Sequence, residues 1–165
     1  MSSWRMAVVA ATAVSAWASP SYADECEAIT ASLSEKLPKL HVAARHADDQ
    51  TVVVELNATD AKELSLTCAA DSHPPVVIAA WAGTWPPATF YDLVASVGAI
   101  VAANSEPAIR SGAVICAQRA MTADGNSAVF DVNGVRFQCT TTTGVGATTR
   151  IRLSKLTEPP ASQPQ

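Results

Sequence analysis

Four cysteines, at positions 26, 68, 116 and 139, constrain this chain more than any other feature, because each role open to them implies a different kind of protein. Two of them close strand-like hexapeptides in which polar and apolar residues alternate, ELSLTC at 63–68 and GVRFQC at 134–139. A nucleophile, a metal ligand, a lipid anchor and a disulfide half each need a different setting, and the setting begins with the compartment.

The N-terminus speaks for export. MSSWRM carries one basic residue, Arg5, and is followed by AVVAATAVSAWA, an uncharged, mostly apolar run, and then by SPSYADE. These are the n-region, h-region and small-residue cleavage site of a secretory signal peptide. Ser21 and Ala23 occupy the small-residue positions, so residues 1–23 are expected to be removed and the mature chain to start at Asp24. The apolar run falls short of the roughly 20 residues that span a bilayer, as does the apolar segment at 93–103, and no stable membrane insertion is expected. Cys26 follows Asp24 and Glu25; a lipid anchor would need a Leu-Ala-Gly-like box in that place. Abundant Ala and Val, with Arg preferred to Lys, suit a GC-rich bacterial genome, which puts the periplasm ahead of the exterior as the destination.

In an oxidising compartment an even number of cysteines reads as a disulfide framework, and four allow three connectivities. No C-x2-C, H-x3-H or local Cys-His signature occurs, and the two nearest cysteines are 23 positions apart. Neither a metal site, a catalytic thiol nor a cofactor is expected.

The mature chain reads as one disulfide-stapled α+β domain over 24–156, followed by a polar, proline-rich tail at 157–165 that is expected to be disordered. DECEAITASLSEKL, 24–37, puts Cys26, Ile29, Leu33 and Leu37 on one helical stripe, and Pro38 stops it. Strand patterns follow at 40–46, 51–58, 63–71 and 75–81. A helix then starts in WPPATFYDLVASVGAIVAAN, 85–104, with Phe90, Leu93, Val94, Val97 and Val101 on its apolar face. Residues 107–121 are ambiguous: Ile109, Ala113, Cys116 and Ala120 suit a helix, whereas Gly112 and the Val114-Ile115 pair suit a strand from 113. Three strands close the sequence, the first two joined by Asn133-Gly134, a two-residue hairpin signal. The expected fold is an antiparallel sheet of about seven strands packed by two or three helices.

The candidate halves 24–81 and 85–156 share an order of helix then antiparallel strands, with a cysteine strand late in each. TVVVELNATDAKELSLTC aligns with SAVFDVNGVRFQC if the first hairpin loop is longer, a pattern that fits an internal repeat. The repeat suggests Cys26 bonded to Cys68 and Cys116 to Cys139. The second pairing requires 107–121 to be a helix, because a meander would hold its cysteine two strands, roughly 10 Å, away.

Charge and motifs exclude more than they assign. The formal charge is −4 and no basic residues run together, so nucleic-acid binding lacks its electrostatic footprint. No G-x-S-x-G, S-x-x-K, H-E-x-x-H or C-x-x-C occurs, and no catalytic or metal-ligating set emerges. His41 and His46, five apart on a strand, are expected on opposite faces, and His73 in a turn. Aromatics concentrate at 80–92, AAWAGTWPPATFYD, where Trp81, Trp85 and Tyr91 are candidate binding residues, Trp85 and Tyr91 being the better placed for exposure.

Two function classes follow. The favoured one is a non-catalytic periplasmic or secreted binding module for a protein or a small apolar ligand. Its halves of helix and antiparallel sheet with two disulfides resemble the architecture of β-lactamase-inhibitor proteins, a likeness of fold that implies an inhibitor-like role without carrying a shared motif. The alternative is a small envelope hydrolase using His73 or His41 with a nearby carboxylate, assembled from distant residues.

Overall fold

The computed structural model describes residues 21–70 and 73–157. The expected signal peptide up to residue 20 and the tail from 158 lie outside the described residues. Helix α1 (Tyr22–Lys36) precedes strands β1 (His41–Ala47), β2 (Thr51–Asn57), β3 (Glu63–Ala69) and β4 (Val76–Ala82). Helices α2 (Ala88–Ala102) and α3 (Glu106–Thr122) follow, then β5 (Ser127–Val132), β6 (Val135–Thr141) and β7 (Thr148–Lys155). The seven strands form one antiparallel sheet in the order β1-β2-β3-β4-β7-β6-β5.

Local chemistry accounts for the element boundaries. Ser21 caps α1 reciprocally with Asp24: the Asp24 amide donates to Ser21 Oγ at 3.2 Å, and the Ser21 amide donates to Asp24 Oδ2 at 3.0 Å. The helix thus begins at Tyr22, two residues before the expected mature start. The β1–β2 turn is held by Asp48 Oδ1, which accepts from the amides of Gln50 and Thr51 at 2.8 and 2.7 Å. Asn133 and Gly134 both adopt positive φ, 51° and 75°, as a two-residue hairpin requires. Residues 107–121 are helical, within α3, and Gly112 has a packing role there: a Cβ at that position would lie 2.5 Å from the Phe137 ring.

All three helices cover the same face. α1 packs on β2 and β3, α2 on the central pair β4 and β7, and α3 on β5 and β6. Alternate residues of the strands meet them, among them Val52, Val54, Leu64, Leu66, Val77, Phe137, Ile151 and Leu153, all buried. Beneath α1, Cys26 is bonded to Cys68 of β3; beneath α3, Cys116 is bonded to Cys139 of β6, with Cα separations of 5.9 and 5.7 Å. Counting outward from the β4–β7 seam, both bonded strands are second from the centre. The staples are therefore placed equivalently on the two sides, and two disulfides fit an oxidising compartment. Among the described residues no single helix is long and apolar enough to cross a membrane.

Candidate binding surface

With the helices on one face, the other face of the sheet has no layer over it among the described residues. Its side chains are the alternates of the core set, and the pairing register arranges them in rows. One row runs Glu63, Ala80, Arg150, Thr140, Ser127; the next Ser65, Ile78, Arg152, Gln138, Val129; a third Thr67, Val76, Ser154, Arg136, Asp131. Strand β4 is apolar on this side too, with Val76, Ile78 and Ala80 in the middle of the face. Hydroxyls of β3 flank that strip on one side and arginines of β7 on the other.

Three arginines share this face: Arg150 and Arg152, two positions apart on β7, and Arg136, which β6 brings beside Arg152. The sequence expectation that no basic residues cluster holds along the chain and fails in space, because the β6–β7 register sets Arg136 opposite Ser154 and Arg152 opposite Gln138. Arg150 reaches across β4 to Glu63, Nη2 to Oε2 at 2.6 Å, and this pair lies over Ala80, which is only 1 % exposed. Arg136 holds Asp131 with two hydrogen bonds, at 2.9 and 2.8 Å. Those bonds and the guanidinium charge keep the Asp131 carboxyl below the usual carboxylate range, and the carboxylate raises Arg136 in turn. Arg152 is exposed, and among the described residues no carboxylate pairs with it. It lines a groove of ≈ 490 Å³ with Arg136, Gln138, Thr67, Ser154 and His73.

The histidines are placed differently from the sequence expectation. The β1–β2 register slips between Val42 and Ala44, so Ala43 has no partner on β2. One extra residue reverses the alternation: His41 opposite Asn57 and His46 opposite Val53 both lie on the open face, where His46 Nε2 is 3.3 Å from Glu55 Oε1. Both groups of that pair are more than half exposed, His46 on the edge strand β1 and Glu55 on its neighbour β2. His73 and Glu25 line a second hollow, of ≈ 580 Å³, beside Tyr22 and Val101. Among the described residues no three His, Cys, Asp or Glu side chains converge as a metal site would require.

The aromatic candidates separate. Trp85 is 75 % exposed, whereas Tyr91, expected at the surface, is 8 % exposed and packs edge-on to Phe90 with ring centroids 5.6 Å apart. Burial pushes its phenol up from the ordinary value. Trp81 is half-buried against Phe90, at 6.2 Å between centroids. The Trp85 loop is tied to β7, since the buried Thr149 hydroxyl lies 3.0 Å from the carbonyls of both Gly83 and Thr84. The fully exposed Val145, at the tip of the β6–β7 turn, belongs to this same end of the sheet.

Comparison with protein-family models, with curated proteins and with solved structures gives no match in any of the three.

Proposed function

We propose that this protein is an exported, non-catalytic binding module, and that the open face of its sheet receives a protein partner. The observation that carries the reading is the apolar strip of β4 on the open face, framed by Ser65 and Thr67 on one side and by Arg150 and Arg152 on the other. A face meant only for water alternates strictly between apolar-in and polar-out. An apolar centre with a polar rim is the anatomy of a protein interface. The export pattern of residues 1–23 and the two disulfides support the same reading. An inhibitor-like protein would be one form of it.

Affinity capture from the periplasm of the source organism tests the proposal, with the tagged mature protein as bait. A partner held by the wild type and lost on Ile78→Glu, with the far-ultraviolet circular dichroism unchanged, is the expected result. A partner insensitive to Ile78→Glu but lost on Trp85→Ala would move the site to the loop end. The hydrolase reading draws on the His46–Glu55 pair; turnover of an ester or peptide panel, abolished by His46→Ala, would replace the binding proposal with it.

A further inference from the structure

The groove beside Arg152 has a chemical bias opposite to that of the whole chain. The chain as a whole is acidic, with fifteen Asp and Glu against eleven Lys and Arg. Yet among the described residues this groove is lined by Arg136, Arg152, His73, Gln138, Thr67 and Ser154, along with small or apolar residues, and by no carboxylate. The three open-face arginines are also unequal. Arg136 is occupied by Asp131 and Arg150 by Glu63, while Arg152 stands between them without a carboxylate partner among the described residues. A guanidinium presents a planar fork that matches a carboxylate in bidentate fashion. The Gln138 amide and the Thr67 and Ser154 hydroxyls add donors around the same hollow.

Resting on the open face as the docking surface, we propose that the groove accepts an acidic segment of the partner, one Asp or Glu carboxylate docking on Arg152 while its neighbours lie over the Val76 and Ile78 strip. Charge complementarity selects this occupant: a basic segment would meet Arg136 and Arg152, and a purely apolar one would leave Arg152 desolvated and unpaired. Inorganic phosphate shares the oxyanion chemistry without the apolar contacts, so it separates the two sources of negative charge.

The test is an NMR titration of the full mature protein, both bridges intact, with a hexaglutamate peptide at low ionic strength. Expected are shifts concentrated at Arg152, Gln138 and Ser154, weakened by added salt, removed by Arg152→Glu, partly restored by Arg152→Lys and unaffected by Lys39→Glu in the turn after α1. Equal loss with Lys39→Glu would reduce the effect to net charge and overturn the proposal, as would no shift in the groove. Phosphate shifting the same residues at lower concentration than the peptide would overturn it in favour of a phosphoryl ligand. A captured partner lost on Ile78→Glu yet retained on Arg152→Glu would overturn the acidic segment and leave the docking face standing, whereas retention on both would sink the face itself.

Discussion

Gly112 lies where α3 presses on Phe137 of β6, and the missing side chain is what allows the approach. A Cβ there would stand 2.5 and 2.6 Å from two atoms of the Phe137 ring, which is itself fully buried and stacked on Phe130 at 5.6 Å. Swinging the ring aside would break that stack. Gly112→Ala gains up to about 1 kcal/mol of helix propensity but incurs overpacking of about 1–3 kcal/mol, so a net loss near 1 kcal/mol is expected in urea denaturation. Gly98→Ala should cost less, because its nearest atoms are the branch methyls of Ile109 and Leu153, at 2.8 and 3.0 Å, which turn more readily than a stacked ring. The reverse order would refute this account of α3 docking. Tyr91 yields a pH effect with a definite sign. Burial raises its phenol pKa, so folding favours the protonated form, and the stability this contributes is complete below the ordinary value of about 10 and is lost as pH rises through the folded value. Tyr91→Phe should therefore match wild type in urea midpoint at pH 8 and exceed it above about pH 10. Curves that stay parallel throughout would show that the ring is not desolvated in solution.

Elements were legible in the sequence where a single periodicity governed them. Strands β2, β3, β6 and β7 stand where alternation places them, and the buried stripe Ile109, Ala113, Cys116, Ala120 is the helical option for α3. The strand option arose from Gly112 and the Val114-Ile115 pair; Gly112 reads as a breaker locally and proves to be a contact residue only once Phe137 is in place. Tyr91 was misplaced for a related reason. A helix lying on a sheet buries one stripe, but α2 also has α1 and α3 against its flanks, so its buried arc widens to include Phe90, Tyr91, Val94, Ala95, Val97 and Gly98. Helical spacing finds the centre of such an arc and misses its edge. The slip at Ala43, which puts His41 and His46 on one face, has no glycine or proline to announce it in HVAARHA. The arginine cluster was hidden more deeply, since Arg136 and Arg152 become neighbours only through the β6–β7 register. Pairing the two strands about the TTGVGATT turn was the one signal that would have found it.

For the molecule as a whole, the two disulfides do similar entropic work in unlike surroundings. They close separate loops, with sequence separations of 42 and 23. On the loop-entropy model these restrain the unfolded chain by about 4 and about 3.5 kcal/mol, each a large share of the roughly 5–15 kcal/mol that stabilises a domain. That model alone makes the bridges nearly interchangeable, but the packing around them does not. Helix α1 buries fully only Cys26 and Leu33, whereas α3 buries Ile109, Gly112, Ala113, Cys116, Ala117 and Ala120. Without the Cys116–Cys139 bond α3 keeps an apolar face on β5 and β6; without Cys26–Cys68 α1 keeps one fully buried leucine and a few half-buried contacts. Opening should then be local on the first side and shared with the whole sheet on the second. Native-state hydrogen exchange on the Cys26→Ala/Cys68→Ala and Cys116→Ala/Cys139→Ala pairs separates the cases. In the first, amides of α1 should exchange by a low-energy opening independent of urea while β4 and β7 stay protected. In the second, α3 should exchange together with β6 and β7 in one urea-dependent unfolding. If α3 opens locally in the second variant as readily as α1 does in the first, the bridges and not the helix faces hold both helices on the sheet.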